Sequence, residues 1–503
     1  MNKKQAFKIA TFLLLTILFF SMPAFINEVP VQNFGPITKI LIPILHHFFG
    51  PNTDLIVFFQ FVNIAFIWLI ILEITRFLKL TVGWRAALFG VLLLALCPRF
   101  IGASIQNLVD IPFAFFYLFS VTQIYSFCRE IPRIKFKRLI FLALGTLVTS
   151  FIHPAGFVLV IYLVVFVAIA VIFKYNSRWN KTFNKNYTIV RISIYSTLLI
   201  LAIFVTSWIS VHYFYNQTLL NPFQALKMLN WGDMNQNEIF ESKLLNSNQL
   251  PHYYLVKYLF ISIPIVILIG IFLLIAFFKK MKNELNPHIH FVIIGSLIFP
   301  LIFTFFAKMN HQGFWAVYYF TVPLLVVTAI IGTESLLRKI DDRYVNTVIS
   351  MALFLLILPP FRHVLITAPA TSLYFNEFAG GVSTSYGKYT LDLNSHYPEI
   401  ASKWLIKNIY SHNVRDFKDN DTILVLTDAK IDCSSFFKKN KYLKVKHGTY
   451  KQFSEGLGEY YISFGNNVDP AVLKAGLWPP KNSFYTIKVD DAPIVAFIKK
   501  EVK

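Results

Sequence analysis

The chain has 503 residues, of which 56% are hydrophobic, 17% aromatic and only 15% charged. This composition is too apolar for a soluble globular protein and is typical of a protein that crosses a membrane several times. A net charge of +21 would fit nucleic-acid binding, but much of the basic charge lies in short loops between apolar stretches, where it orients a membrane protein. The composition therefore predicts a polytopic membrane protein and argues against a nucleic-acid partner.

Apolar stretches that approach the ~20-residue length of a membrane span predict about eleven transmembrane helices. The third and fifth are short enough to be tilted or partly re-entrant. The first stretch lacks a small-residue cleavage site, which indicates a span rather than a removable signal. The predicted spans cover residues 9–25, 54–75, 86–98, 111–128, 139–152, 156–173, 192–211, 255–278, 289–306, 315–336 and 345–361.

Lysine and arginine residues are unequally distributed between the two sides of these spans. With the N-terminus in the cytoplasm, most of those that precede the tail fall in cytoplasmic ends and loops, as the positive-inside rule requires. An odd number of spans then places residues 370–503 outside. The Lys, Asn, Ile and Phe content is typical of a protein from an AT-rich bacterium, so we expect a multi-pass protein of the bacterial inner membrane.

The tail differs in pattern from the rest of the chain. Residues 396–409 have apolar residues near helical spacing, and 422–427 and 460–464 have the composition of strands. Residues 485–489 and 493–498, joined through Asp490-Asp491-Ala492, predict a hairpin. The sequence therefore predicts a transmembrane domain over 1–369, with outer loops 26–53, 99–110 and 212–254, followed by an extracytoplasmic α/β domain over 370–503.

Four acidic residues are predicted to lie on the outer face. Glu28 follows the first span, Asp110 ends the loop after the third, and Glu377 and Asp392 follow the last. A carboxylate at a membrane boundary is costly unless it faces water, a partner or a substrate. A solvated loop acid remains the alternative interpretation of Asp110.

An active site that is fed from the lipid phase needs a carboxylate to accept a proton from an acceptor hydroxyl, and cationic groups for a leaving phosphate. Glu28 and Asp110 are candidates for the first role, and Arg99, Lys308 and His311 for the second. Arg99 is the preferred phosphate ligand because its planar guanidinium can bind two oxygens. A snorkelling span end is the alternative for Arg99, and a plain polar turn for His311.

The sequence carries no motif for a metal or a nucleotide. His46 and His47 point about 100° apart on a helix and rarely bind one metal, so packing in an interfacial helix over 37–50 is favoured. The three cysteines are scattered, which indicates structural roles. There is no Walker-type glycine loop, Ser/His/Asp motif or Cys/His cluster. Use of a divalent metal stays open, because lone carboxylates do not specify a cation.

Three patches resemble the GT-C superfamily of integral-membrane glycosyltransferases. Within it the chain is most similar to the protein mannosyltransferase and aminoarabinose transferase-like branch (glycosyltransferase family 39 type). The patches at 98–114 and 374–392 are the specific ones. The residues that carry the resemblance are Glu28, then Pro98-Arg99, Gly102 and Asp110-Ile-Pro-Phe-Ala, and finally Tyr374-Phe-Asn-Glu-Phe-Ala-Gly-Gly381, Gly387-Lys-Tyr-Thr-Leu-Asp392 and Trp404-Leu405.

The resemblance implies a GT-C-like fold and a sugar donor carried on a polyprenyl phosphate. It implies transfer to a lipid, glycan or protein acceptor on the non-cytoplasmic face, with inversion at the anomeric carbon. On that pattern Glu28 is the general base, Asp110 organises the donor phosphate and the acceptor, and Arg99 binds phosphate. The rim of the site is then shaped by Asn107, Asn376, Glu377 and the Gly380-Gly381 turn.

Two positions depart from the family pattern. The Asp-Glu pair usual in the first loop is Asn27-Glu28 here, and the basic residue common before the second-loop acid is Val109. The alternative hypothesis is therefore a non-catalytic GT-C-like protein, either a lipid-handling transporter or an assembly subunit. A transporter predicts broken or charged helices at the bilayer midplane, repeated between two halves. No half-repeat is visible and the acids lie at outer ends, which favours the enzyme.

Overall fold

The structure is a computed structural model, and the residues it describes fall in segments along the chain. The predicted span 9–25 and nearly all of the loop 26–53 lie outside them. The described residues are Pro43, His47, 55–104, 109–131, 134–176, 185–215, 237–246, 249–277, 287–307, 318–368, 370–392, 397–412, 422–429, 431–437, 440 and 442–500.

The membrane part is built of apolar helices, as the composition predicts. Its helices are α1 (Leu55–Thr81), α2 (Trp84–Ala95), α3 (Pro98–Ser104), α4 (Asp110–Glu130), α5 (Phe136–Ile152), α6 (Val158–Asn176), α7 (Lys185–Tyr215), α8 (Tyr254–Ser262), α9 (Ile265–Ala276), α10 (Pro287–Ala307), α11 (Val322–Leu337), α12 (Arg343–Leu355) and α13 (Leu358–Thr367).

The number of spans is lower, in the described segments, than the eleven predicted. Six helical stretches are long and apolar enough to cross a membrane, and the bent pair α8–α9 would make a seventh. The segments Trp84–Ala95 and Phe291–Ile302 are apolar but shorter. The chain is thus a multi-pass membrane protein, and the count of eleven remains a prediction.

The predicted span over 255–278 consists of two helices rather than one. The chain breaks after Ser262, and α8 and α9 meet at 116°. Ile263 and Pro264 at the break both have extended ψ values, of 141° and 135°. Proline has no N–H to donate to the helix and disfavours helical geometry in the residue before it.

Helix α11 is the centre of the membrane part. Every residue of this helix except Leu336 is buried. Its tightest contact is with α9, where a Cβ added to Gly332 would lie 2.0 Å from the carbonyl oxygen of Gly270. Small residues on both helices let their backbones touch, which is how membrane helices gain packing without a hydrophobic driving force between them.

Three buried or partly buried acids are paired with arginines in the ends and loops predicted to be cytoplasmic. Glu73 accepts a hydrogen bond from Arg76 Nε at 2.7 Å. The other two pairs are Arg85 Nε with Glu334 Oε1 at 3.2 Å, and Arg138 Nη2 with Glu130 Oε1 at 2.9 Å. Pairing removes the cost of an isolated buried charge, so these arginines have a packing role besides their role in orientation.

The strands and the remaining helices of the described segments are β1 (Asn237–Phe240), β2 (Lys243–Asn246), α14 (Gly381–Ser385), α15 (Tyr397–His412), β3 (Ile423–Thr427), α16 (Ser434–Phe437), β4 (Leu443–His447), α17 (Tyr450–Ser454), β5 (Tyr460–Phe464), α18 (Pro470–Lys474), β6 (Ser483–Val489) and β7 (Ala492–Lys499).

Strands β3 to β7 form a five-stranded sheet of order β4-β3-β5-β7-β6. Strand β3 runs parallel to both β4 and β5, and β7 runs antiparallel to both β5 and β6. Helices α16, α17 and α18 lie in the connections between β3 and β4, β4 and β5, and β5 and β6.

The predicted helix, strands and hairpin of this region are confirmed, whereas β4 was missed. Asp490 and Asp491 form the hairpin turn with φ values of +45° and +67°. Two residues with positive φ match the right-handed twist of the flanking strands. The turn lies against α13, since Asp490 is 3.8 Å from Arg362 and 4.0 Å from His363. The predicted domain boundary at residue 370 stays a prediction.

Asp428 follows β3 and holds the end of β5. Its carboxylate accepts hydrogen bonds from the Phe464 N–H at 2.9 Å, the Ser463 hydroxyl at 3.1 Å and the Tyr461 hydroxyl at 3.2 Å. Burial raises the pKa of the Asp428 carboxyl to about 6, although these hydrogen bonds oppose the rise. The folded sheet therefore binds a proton at this carboxyl more tightly than the unfolded chain does.

We expect Gly332→Ala to destabilise the membrane part by about 1–3 kcal/mol, because the added methyl group forces α9 and α11 apart. Thermal unfolding in detergent measures the loss. Gly295→Ala is the matched control, because its Cβ would meet only the ring of Phe166, a side chain that can rotate. An equal drop in both variants would contradict the close α9–α11 contact.

The sheet should become less stable as the pH rises from about 4 to about 6, by roughly 1–3 kcal/mol. The folded pKa of Asp428 is raised, so the folded state keeps a proton that the unfolded state has already lost. Hydrogen exchange of β3 and β5 in the full-length protein, corrected for intrinsic rates, measures this. Asp428→Asn should abolish the dependence and Asp432→Asn should keep it; a slope that persists in Asp428→Asn refutes the assignment.

Candidate functional site

The two specific patches of the family resemblance, 98–114 and 374–392, meet in the structure. Helix α3, in the first patch, packs against residues 371–375. The Thr371 hydroxyl donates to the Pro98 carbonyl at 2.7 Å, and Arg99 Nε donates to the Tyr374 carbonyl at 2.7 Å across 275 residues of chain. A Cβ on Gly102 would lie 2.5 Å from the backbone nitrogen of Ser372, so glycine allows this close approach.

Arg99 is buried, with 2% of its surface exposed. Its guanidinium lies over the ring of Phe375 at 4.4 Å and over the ring of Tyr258 at 5.5 Å. Aromatic faces stabilise a desolvated cation electrostatically. Arg99 is thus held inside the protein, and the alternative of a snorkelling span end is wrong.

The same region contains a buried carboxylate that the sequence analysis missed. Glu238 on β1 (Asn237–Phe240) is 5% exposed and accepts a hydrogen bond from the Tyr254 hydroxyl at 2.6 Å. Tyr254 and Tyr258, one turn apart on α8, interact electrostatically with Arg99. The Arg99 guanidinium and the Glu238 carboxylate therefore belong to one buried network. No local pattern in the sequence marked Glu238.

Strand β1 is attached to the segment that follows the last helix. It pairs with β2 (Lys243–Asn246), and its Ile239 makes two hydrogen bonds with Thr390. The Thr390 N–H donates to the Ile239 carbonyl at 2.9 Å, and the Ile239 N–H donates to the Thr390 hydroxyl oxygen at 2.8 Å. The Tyr258 hydroxyl donates to the Thr390 carbonyl at 2.8 Å. The described part of the predicted outer loop 212–254 is thereby attached next to the region around Arg99.

Asn376 caps the broken helix. Its Nδ2 donates to the Phe260 carbonyl at 2.6 Å and to the Ile263 carbonyl at 2.8 Å, and its backbone N–H donates to the Ile261 carbonyl at 2.9 Å. The last carbonyls of a helix have no partner within it and must be satisfied elsewhere. Asn376, predicted as part of the site rim, thus joins the post-helical segment to α8.

Asp110 is the first residue of α4 rather than the end of a loop. It is partly buried and interacts electrostatically with Tyr319, whose ring stacks on Phe100 of α3 at 4.8 Å. A carboxylate in the first turn is favoured by the helix dipole. Asp110 on α4 and Phe100 on α3, the residue after Arg99, therefore both lie near Tyr319.

The remaining predicted residues fall into two groups. Glu377 is exposed at the start of a single helical turn, and Asp392 is buried and accepts the Tyr397 N–H at 3.0 Å at the beginning of α15. The other four predicted site residues lie outside the described residues: Glu28, Asn107, Lys308 and His311.

In the segments that the structure describes, no three His, Cys, Asp or Glu side chains are grouped to hold a metal ion.

Comparison with known proteins gives distant structural matches only. No protein-family model and no curated protein sequence matches the chain. Structural matches include ArnT from Cupriavidus metallidurans bound to undecaprenyl phosphate, with 10% identity and a TM-score of 0.40 over 99% of this chain and 98% of that one. Two structures of an Archaeoglobus fulgidus oligosaccharyltransferase also match.

One of these is AglB in complex with an inhibitory peptide and a dolichol-phosphate, with 13% identity and a TM-score of 0.43 over 94% of this chain and 68% of that one. The other is tethered to an acceptor peptide, with 14% identity and a TM-score of 0.41 over 93% and 66%. ArnT and AglB are GT-C glycosyltransferases, the superfamily that the residue patterns resemble. At these identities and TM-scores the matches carry no conclusion about this chain.

Asn376→Ala should lower the free energy of unfolding by about 2–3 kcal/mol, because it leaves two buried carbonyls of the broken helix without donors. Thermal unfolding of the detergent-solubilised protein measures the change. Glu377→Gln is the neighbouring control, since Glu377 is exposed and its change should have little effect. An unaltered melting temperature in Asn376→Ala would show that these carbonyls find other partners.

Proposed function

We propose that the protein is a membrane glycosyltransferase that transfers a sugar from a polyprenyl-phosphate-linked donor to a lipid, glycan or protein acceptor at the outer face of the bacterial inner membrane. One observation carries the proposal. The specific patches at 98–114 and 374–392 lie far apart in the chain, yet Arg99 of the first donates to the Tyr374 carbonyl of the second and lies over its Phe375 ring.

The proposed reaction is a displacement at the anomeric carbon with inversion. The acceptor hydroxyl oxygen forms the new bond to that carbon, the bond from the carbon to the phosphate oxygen breaks, and polyprenyl phosphate leaves with the electron pair. Glu28 takes the proton of the hydroxyl as general base. Cationic and hydrogen-bonding groups stabilise the charge that develops on the leaving phosphate, a role we assign to Arg99, Lys308 and His311.

Arg99 suits this role because it is buried and oriented. A buried cation interacts with a phosphate more strongly than an exposed one, since the surroundings screen it less. The hydrogen bond to the Tyr374 carbonyl and the ring of Phe375 fix the plane of the guanidinium. An oriented planar guanidinium can hold two phosphate oxygens with little loss of side-chain entropy.

Asp110 is proposed to organise the donor phosphate and the acceptor, with the site rim formed by Asn107, Asn376 and Glu377. Asp110 begins α4, so its position is set by a helix end rather than by a flexible loop. Carboxylate and phosphate oxygens are both ligands of Mg²⁺ and Ca²⁺. A divalent cation between Asp110 and the donor phosphate would remove their repulsion, and metal dependence is open to direct measurement.

The second candidate function is a non-catalytic lipid-handling protein or assembly subunit. The observation that favours it is the break between α8 and α9, because transporters build their binding sites from discontinuous helices. The carbonyls at this break are satisfied by Asn376. In a transporter such carbonyls would instead face a cavity and bind a transported ion, so the capping argues for a structural break and for the enzyme.

Purified protein should transfer radiolabelled sugar from a polyprenyl-phosphate donor, and Glu28→Gln and Asp110→Asn should each reduce transfer by a factor of about 100 or more, in the range that general acid–base groups contribute. Glu455→Gln, on the exposed surface of the sheet region, is the control and should retain full activity. Adding EDTA before the assay tests for a divalent cation.

The outcomes separate the two functions. If transfer survives in Glu28→Gln, the proposal of a glycosyltransferase stands, but another residue is the general base. An absence of transfer from every donor, while labelled donor lipid still binds in a way that Arg99→Lys weakens, would overturn the enzyme and support the lipid-handling protein.

A further inference from the structure

A groove lies at the end of the membrane part that is opposite to the proposed site, between α2, α11 and α12. We infer that this groove binds one anionic phospholipid of the cytoplasmic leaflet, with an acyl chain in the groove and the headgroup phosphate on Arg85. This site is independent of the proposed sugar transfer: of the residues assigned to that reaction, the four that the structure describes, Arg99, Asp110, Asn376 and Glu377, do not line it.

The groove is apolar along its length and polar at one end. The space between its lining side chains measures about 420 Å³, part of which is open to the surroundings. Phe89 and Leu93 of α2, and Ile330 and Leu337 of α11, are among its lining residues. The remaining lining residues are Arg85, Val266, Thr333, Glu334, Ser350, Leu353, Phe354 and Ile357.

The groove exists because α12 packs loosely. No residue of α12 is buried, in contrast to nearly all of α11. The polar side of α12 contacts the bundle near its start, where Asn346 Nδ2 donates to the Leu337 carbonyl at 2.6 Å and the Ser350 hydroxyl accepts from Arg85 Nη2 at 3.1 Å. Beyond Ser350 the helix leaves a gap beside Phe354, which is 52% exposed.

Basic side chains lie at the polar end. Arg85 is 41% exposed, and its Nε pairs with the buried Glu334 carboxylate at 3.2 Å. Arg338, which is also exposed, interacts electrostatically with Glu334 and donates to the Val82 carbonyl. Two guanidinium groups around one carboxylate leave a net positive charge, so Glu334 positions Arg85 and Arg338 without neutralising both.

An anionic phospholipid fits both ends of the groove. A gap lined with apolar side chains that opens between membrane helices takes a hydrocarbon chain, because water would find few polar partners there. The basic end takes a phosphate, as basic pockets between helices on the cytoplasmic side do. The arginines and Lys339 are among the residues that place this end in the cytoplasm by the positive-inside rule, and anionic lipids give that leaflet its negative surface potential.

Native mass spectrometry of the delipidated full-length protein, titrated with phosphatidylglycerol and separately with phosphatidylcholine, tests the inference. We expect the first molecule of phosphatidylglycerol to bind at least about tenfold more tightly than the first molecule of phosphatidylcholine. A difference of this size distinguishes one selective site from general binding of lipid to the protein surface. Leu353→Trp should fill the groove and weaken this first binding by about tenfold or more. Val348→Trp, on the exposed side of the same helix, is the matched control and should leave it unchanged.

A second variant tests the headgroup contact without leaving an unpaired buried charge. Arg85→Gln combined with Glu334→Gln should reduce the preference for phosphatidylglycerol while retaining phosphatidylcholine binding. Equal binding of the two lipids to the wild type would overturn the inference that the site selects an anionic headgroup. Equal effects of Leu353→Trp and Val348→Trp would overturn the groove as the site, and a dimer that Leu353→Trp dissociates would identify a second copy as its occupant.

Discussion

Satisfying the backbone polar groups of a broken membrane helix is the constraint on which the structure around Arg99 depends. Lipid offers no hydrogen bonds, so the carbonyls freed at Pro264 must find donors within the protein. Asn376 supplies them from the segment that follows the last helix. The segment 370–376 is thereby attached to α8, and it carries Tyr374 and Phe375 to Arg99.

Two kinds of interaction then divide the membrane part. The first is a buried network of arginine, tyrosine and glutamate side chains that joins α3, α8, β1 and residues 371–390. The second is the pairing of buried or partly buried acids with arginines near helix ends, beside the close glycine contact that holds α9 to α11. The charged groups of both are thus partnered, as the cost of burying charge in a bilayer requires.

The sequence pattern predicted local elements well and distant contacts poorly. The hairpin at 485–498 was readable because alternation and an Asp-Asp turn are local signals. Strand β4 alternates apolar and basic residues over only five positions, which is too short to stand out. The break at Pro264 was missed because the residues on both sides remain apolar, so hydropathy alone extends the span through it.

By itself, the sequence determined that the chain crosses a membrane several times and that its tail contains a helix, strands and a hairpin, because hydropathy and alternation act over neighbouring residues. Only the tertiary structure decided that Arg99 is buried against Phe375, that Glu238 is buried beside Tyr254, and that Asn376 caps α8. These contacts join residues more than 100 positions apart or depend on burial, and no local physical rule specifies which distant partner satisfies a polar group.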